Sequence, residues 1–258
     1  MPDGLQGRTV LIARDSGRAS GLLLKLDYLG AHVLVSPITA TEPGDEAGLD
    51  AAISAVAGFD WVVVTSANAV KAFRAAADRA SVRLADFKIR WAVVGKTTAF
   101  FLAALGGEGA PRVPLVPEEH TATGLVAAIT AAAAPGARIL LPQGNLAAPT
   151  LADGLQAAGF DVTTVTAYRT VPAAIDPAIA QAWAAGAIDA AVVAAPSAAR
   201  QIAEQLGTQV PVVIVAIGNS TATAARECGF QQVLVADDST DESLAAAVLK
   251  VLTDKVKP

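Results

Sequence analysis

The sequence predicts an α/β fold built from two similar lobes, each a parallel sheet flanked by helices. Short β-rich runs alternate with longer helical patterns along the whole chain. The stronger runs are almost continuously apolar, as strands are when helices cover both faces of their sheet. The same order of segments then occurs a second time.

In chain order, the first strand is TVLIA at 9–13, followed by a helical segment at 18–29 and the strand HVLV at 32–35. DWVVVT at 60–65 leads into a helix at 69–80, and WAVV at 91–94 into a helix at 99–105. A weaker strand, VPLV at 113–116, precedes a helix at 121–133. RILL at 138–141, a helix at 149–158 and VTTVTA at 162–167 come next. AAVVA at 190–194 and VVIVAI at 212–217 are followed by helices at 198–206 and 221–228. QVLV at 232–235 is a weak last strand, and a helix at 242–252 closes the series. Strand–helix alternation of this kind requires right-handed crossovers.

The repeat has three parts. Residues 8–38 resemble 138–168: a strand, a helix, then Leu29-Gly30-Ala31-His32-Val33 against Ala158-Gly159-Phe160-Asp161-Val162. The run from Trp61 to Ser66 resembles that from Ala190 to Ala195, and Gly95-Lys96-Thr97-Thr98 resembles Gly218-Asn219-Ser220-Thr221. The simplest division falls near Pro135-Gly136. Repeat order alone leaves open whether the halves are separate or exchange segments.

Composition narrows the function. A chain of 258 residues holds one or two domains. With 53% hydrophobic and 17% charged residues it is not a disordered polymer, and its abundant alanine predicts closely packed helices. The net charge is −5 and no basic stripe occurs, which argues against nucleic acid as a partner. One cysteine, Cys228, excludes an internal disulfide or a multi-cysteine metal site, and His32 and His120 lack ligand spacing. The opening MPDGLQGRTVLIAR has no signal-peptide pattern. The longest uncharged stretch, 208–225, contains Gln209, Pro211 and Asn219 and reads as a strand and helix start rather than a membrane span. The expected location is the cytoplasm.

Six strand-to-helix junctions carry small, hydroxyl or amide residues: Arg14-Asp15-Ser16-Gly17-Arg18, Thr65-Ser66-Ala67-Asn68, Gly95-Lys96-Thr97-Thr98, Gln143-Gly144-Asn145, Ala195-Pro196-Ser197 and Gly218-Asn219-Ser220-Thr221. Any one of them is explained by helix capping. As a set they sit where parallel sheets bind ligands, with helix N–H groups suited to a polycarboxylate. Arg14, Lys71, Lys96, Arg169 and Arg200 add local positive charge, although each alone reads as a surface cation.

Familiar fingerprints are missing. No GxGxxG follows the first strand, and the GKT at 95–97 has Arg90 where a P-loop needs glycine. There is no GxSxG elbow. The paired carboxylates Glu118-Glu119 and Asp237-Asp238 lie in turn-like stretches. Tyr168 differs from these. Its phenol keeps a proton at neutral pH and can donate it to a departing oxygen, although its ring can equally anchor a linker strand.

From Arg8 to Leu252 the sequence resembles the uroporphyrinogen-III synthase family. The resemblance rests on Val10-Leu11-Ile12-Ala13-Arg14, on the segment from Val64 to Val70, and on that from Ala92 to Thr98. It also rests on Thr166-Ala167-Tyr168-Arg169-Thr170 and on the segment from Ala216 to Ala222. It implies two α/β lobes joined by a two-stranded connector: 1–36 plus 171–258, then 41–164, with connectors at 37–40 and 165–170. It implies closure of hydroxymethylbilane, a linear tetrapyrrole with eight carboxylates, with loss of water and inversion of ring D. No metal or organic cofactor is implied. A monomer is expected, in transient contact with the upstream deaminase.

Carried over by position, Tyr168 matches the connector tyrosine that helps the hydroxyl leave. Thr65, Ser66, Thr97, Ser220 and Thr221 match hydroxyl positions lining the substrate cleft, with Asn68 in the same motif as Thr65. Gly95 and Gly218 would let substrate approach the backbone, and Arg14 would meet a carboxylate. One departure is Ala194-Ala195-Pro196-Ser197, where the family often has a Thr-Ser pair; binding there would fall to Ser197 and backbone donors. That departure motivates an alternative, a non-catalytic tetrapyrrole- or polycarboxylate-binding module of the same fold. A sugar- or nucleotide-binding two-lobed protein is a further alternative.

Overall fold

The computed structural model describes residues 4–83, 89–105 and 114–253. The first elements are β1 (Thr9–Ile12), α1 (Ser16–Tyr28), β2 (His32–Val35), β3 (Thr39–Pro43) and α2 (Glu46–Ser54). Then come β4 (Trp61–Val64), α3 (Ala67–Arg79), β5 (Arg90–Val93), α4 (Lys96–Leu105), α5 (Ala122–Ala132), β6 (Arg138–Gly144), α6 (Thr150–Ala157) and β7 (Asp161–Pro172). The chain continues with α7 (Pro177–Ala184), β8 (Ala190–Val193), α8 (Pro196–Leu206), β9 (Val213–Ala216), α9 (Asn219–Glu227), β10 (Val233–Val235) and α10 (Asp241–Thr253).

The chain divides into two compact units, one of Met1–Ala40 with Val171–Pro258 and one of Thr41–Thr170. No boundary falls at 135–136, because β6, which follows, pairs with both β4 and β7 inside the second unit. The first unit's sheet has the order β10-β9-β8-β1-β2, and every pair in it is parallel. The second unit's sheet has the order β3-β7-β6-β4-β5 and is parallel from β7 to β5. β3 and β7 both cross the boundary. Ala173 N–H bonds the Ile38 carbonyl, Gly44 N–H the Ala167 carbonyl and Asp45 N–H the Thr166 carbonyl. One partner number rises as the other falls, so this pair is antiparallel.

Alternation of side chains gives each sheet two cores. Val10 and Ile12 of β1 face the cluster under α1 and α10, while Leu11 faces Trp183, Ile202 and Ala225 of α7, α8 and α9. In the second unit Val62 and Val64 pack under α2 and α3, and Trp61 and Val63 under α5 and α6. Alanine fills the closest approaches: Ala198 and Ala199 of α8 share one cluster with Ala224 and Ala225 of α9. Asp45, Ser66, Thr121 and Asp176 cap their helices by accepting backbone N–H groups of the first turn.

Three elements lie outside the sequence expectation. β3 is mostly exposed and has no apolar alternation to read. α2 and α7 are nine and eight residues long, too short for a clear periodicity. The expected strand at 113–116 amounts to a single parallel bridge between Ala92 and Leu115, with residue 113 outside the described residues. Among the described residues no helix is long and apolar enough to cross a membrane.

Candidate functional site

The parallel strands of the second unit bring their carboxyl ends to one edge. That edge carries Thr65 and Ser66 after β4, Gly95 after β5, Gly144 at the end of β6, and Tyr168 in β7.

Tyr168 owes its direction to a bulge. Gln143 pairs with Thr166 but Gly144 pairs with Tyr168, so Ala167 is the extra residue. In a regular strand Ala167 and Tyr168 would face opposite sides. Across the bulge both pack against the cluster beneath α2 and α3. The phenol lies over Gly144: a Cβ built there would stand 2.6 Å from Tyr168 Cζ and 2.8 Å from its hydroxyl.

Asn145 continues the pairing beyond β6. Its backbone N–H donates to the Tyr168 carbonyl at 3.1 Å. Its Oδ1 accepts the Thr170 N–H at 2.8 Å, and its Nδ2 donates to the Thr170 carbonyl at 3.3 Å. The sequence pattern places 143–145 at a strand-to-helix junction and the helix itself at 149–158; α6 begins at Thr150, and before it the Asn145 amide is spent on β7 and a turn intervenes.

A pocket on this face of the second unit is lined by Thr41, Glu42, Glu46, Asn68, Lys71 and Tyr168, among others. Asn68 Nδ2 donates to Thr41 Oγ1 at 3.4 Å. Arg79, also in the lining, is held by Asp50 at 2.6 Å and Glu46 at 3.2 Å. Lys71 Nζ stands 5.8 Å from the centroid of the Phe101 ring and has no carboxylate partner among the described residues. The pocket therefore combines the carboxylates of Glu42 and Glu46, the latter paired with Arg79, with three donors, a phenol, an amide and an ammonium group.

The remaining candidates of this unit are spread along the edge. Ser66 caps α3 by accepting the Ala69 N–H at 3.1 Å, and Thr65 is half-buried. Gly95 faces His120, whose ring carbon would stand 3.5 Å from a Cβ at that position. Thr97 is exposed in the first turn of α4.

The first unit carries its candidates on the carboxyl edge of its own sheet. Arg14 is tied to Asp241 of α10, Nη1 to Oδ1 at 3.1 Å, with 12% of its side chain exposed. A substrate carboxylate at Arg14 would have to displace that partner. Ser197 is half-buried in the first turn of α8, and Gly218 precedes α9 with extended backbone and no side-chain cap. Ser220 is exposed, whereas Thr221 is 1% exposed and belongs to the helix's buried face. The altered Ala195 has the backbone of Ser66 (φ −155°, ψ 149° against φ −149°, ψ 154°) but supplies no cap oxygen.

Sequence reasoning finds Tyr168 and Asn68, which line one pocket. It passes over Thr41, on a strand without apolar pattern, and treats Lys71 as an ordinary cation. Asn145 is visible as a junction residue but not as a partner of Thr170. A glycine and asparagine closing one strand, 24 residues before a strand-borne Tyr-Arg-Thr, is the available signal.

Residues 22–246 match the family model described as uroporphyrinogen-III synthase HemD. The chain belongs to the uroporphyrinogen-III synthase family. The uroporphyrinogen-III synthase of Synechococcus elongatus is 34% identical over 168 residues, which is 64% of this chain and 62% of that relative's length. The chloroplastic enzyme of rice is 27% identical over 230 residues, covering 87% of this chain and 74% of its own. Among solved structures, a mutant synthase from Thermus thermophilus superposes with a TM-score of 0.68 at 24% identity, covering 96% of this chain and 99% of its own. The synthase of Helicobacter pylori gives 0.62 at 14% identity over 95% and 99%. At these identities the structures establish a shared fold, that of the synthase family.

Proposed function

We propose that this chain closes hydroxymethylbilane to uroporphyrinogen III, with loss of water and inversion of ring D. The family match across residues 22–246 carries this reading. The uncatalysed ring closure gives the uninverted isomer, so the task is chiefly positioning. The chain must hold the tetrapyrrole so that the substituted carbon of ring D is attacked first.

Tyr168 acts as general acid. As the carbon–oxygen bond breaks, the leaving hydroxyl takes the phenol's proton and departs as water, leaving a cationic azafulvenium and the phenolate. Ring D is attacked at its substituted carbon, the spiro intermediate fragments, and the macrocycle recloses. A pyrrole proton lost on reclosure restores the phenol. Asn68, Thr41 and Lys71 beside Tyr168 are donors for a carboxylate arm. Backbone N–H groups at Gly95, Gly218 and Ser197, the side chains of Thr65, Ser66, Thr97, Ser220 and Thr221, and Arg14 serve the remaining arms. Thr221 and Arg14 take part only after local rearrangement, given the burial of one and the Asp241 partner of the other.

The reading divides the chain into lobes of 1–36 with 171–258 and of 41–164, with 37–40 and 165–170 as connectors. It makes the protein a cytoplasmic monomer, since each unit completes a five-stranded sheet by itself. Contact with the deaminase that makes the substrate would shorten the time in which it cyclises unaided.

The test is an isomer assay. Freshly generated hydroxymethylbilane is supplied, the product oxidised, and type I and type III uroporphyrins separated. Type III above the enzyme-free control is expected, with Tyr168→Phe lowering turnover about tenfold or more, near 1.4 kcal/mol of barrier. Type I alone from folded protein would overturn the synthase reading in favour of a binding module. Unchanged turnover in Tyr168→Phe would remove the acid role.

A further inference from the structure

We infer that Asn145 is a positioning residue for turnover, acting by fixing the backbone from the Tyr168 carbonyl to Thr170. The inference builds on the proposed role of Tyr168. β7 leaves its register with β6 at the bulge just before Tyr168, and β6 ends at Gly144. Beyond that point β7 still pairs with β3 on one edge, but its other edge has no strand beside it. Asn145 takes that place. It bonds the Tyr168 carbonyl through its own N–H, and both polar groups of Thr170 through its side-chain amide. A side-chain amide offers both donor and acceptor, and here it meets the donor and acceptor of one residue, as a neighbouring strand would. The three bonds span Tyr168 to Thr170, so the phenol cannot swing with the strand without breaking them. Both groups of Thr170 would otherwise depend on solvent.

This arrangement also accounts for a turn, rather than a helix, after β6. A capping asparagine turns its oxygen to the N–H groups of its own following helix. Asn145 instead turns its amide to β7, 25 residues ahead. It does not line the pocket that holds Tyr168; its influence on chemistry runs through Tyr168.

The experiment combines a double-mutant cycle with a spectroscopic measurement that does not depend on activity. Asn145→Ala is expected to lower kcat at least tenfold while KM moves less than threefold. In a Tyr168→Phe background the same change is expected to cost less than twofold further, because a residue acting through the phenol has nothing left to position. The chain has two tyrosines, Tyr28, 68% exposed, and Tyr168. With 3-fluorotyrosine incorporated and Tyr28→Phe used for assignment, the Tyr168 fluorine resonance should shift or broaden in Asn145→Ala while that of Tyr28 stays. Should Asn145→Ala not fold, Asn145→Asp keeps the acceptor for the Thr170 N–H and sets an oxygen against the Thr170 carbonyl. The same pattern is then expected.

Equal losses in the wild-type and Tyr168→Phe backgrounds would overturn the inference, as would an unmoved Tyr168 resonance. Wild-type protein that makes no type III isomer would instead sink the proposed function, leaving the fluorine measurement to judge Asn145 separately.

Discussion

Gly144→Ala places a methyl group against the Tyr168 ring, whose atoms are its three nearest neighbours. The new methyl would lie 2.6 Å from Tyr168 Cζ, 2.8 Å from the hydroxyl and 2.9 Å from Cε2. Carbon atoms settle at about 3.5–4.0 Å, so the ring must retreat by roughly 1 Å. The obstacle meets the far end of a side chain, not backbone, so the pairing of Gly144 with Tyr168 can persist. A 1 Å displacement of a reacting group can cost on the order of 10²-fold in rate. We therefore expect kcat for type III formation to fall about 10- to 100-fold, which is about 1.4–2.7 kcal/mol of barrier. KM should change little, because Asn68, Thr41 and Lys71 keep their places. Thermal unfolding should move modestly, since alanine also reduces the freedom of the unfolded chain by about 0.4–1 kcal/mol. The assay is steady-state isomer analysis on fresh hydroxymethylbilane, run beside a melting curve. A folded variant with kcat within twofold of wild type would refute the argument that the phenol must lie where Gly144 leaves room for it.

Two further outcomes concern stability. Ala195→Ser should let α8 gain the cap that Ser66 gives α3, because the two backbones match. The gain should be about 0.5–1 kcal/mol, at the lower end because the Ala198 N–H already bonds the Ala195 carbonyl; an unmoved urea midpoint would contradict it. Asp238, ahead of α10, accepts the Thr240 hydroxyl and, at 2.8 Å, the Thr240 N–H. Those bonds, the hydroxyl first, hold its carboxyl below the usual range, and the bond from Lys25 does the same for Glu242. A carboxylate depressed on folding stabilises above its unfolded pKa, near 4, and loses that contribution as pH falls through the folded value. The stability difference between wild type and Asp238→Asn should therefore be constant above about pH 5 and shrink in more acid solution. A difference that persists below about pH 2 would show that charge is not its source.

The fold is legible in the sequence because both faces of each sheet are covered. Runs such as Val62-Val63-Val64 and Val213-Ile214-Val215 have no polar face, and residue type alone marks them as central parallel strands. β3 escapes for the opposite reason: an exposed strand paired on one side carries no pattern. Within the site, Tyr168 can be named from its segment, but its direction cannot. The bulge at Ala167 is a shift of pairing by one residue and leaves no trace in composition. Arg14 reads as a free cation, and its partner Asp241 is 227 residues away in sequence. Thr221 reads as a hydroxyl at a helix start, yet helix phase turns it into the core beside Ala222 and Ala225.

The internal repeat separates what holds each sheet from what varies upon it. At the amino edge, Asp189 Oδ2 accepts the Thr9 N–H at 2.9 Å, and the Asp189 N–H returns a bond to the Thr9 carbonyl at 2.9 Å. Asp60 does the same in the other unit, to the Arg138 N–H at 2.8 Å and the Arg138 carbonyl at 2.9 Å. One carboxylate thus fixes the register of two parallel strands in each unit, at the edge away from the candidate site. At the carboxyl edge the equivalent positions have parted. Ser66 caps its helix and Ala195 does not; Lys96 stands against Asn219; Gly144 beneath a phenol stands against Arg14 bound to a carboxylate. The proposed ring inversion asks for such a division of labour. The end of the substrate that loses water needs a proton donor, whereas the rest needs only to be held. If the proposed function holds, specificity for ring D resides in the differences at the carboxyl edges, and Tyr168, present in the second unit's segment and without a tyrosine counterpart in the first, is the largest of them.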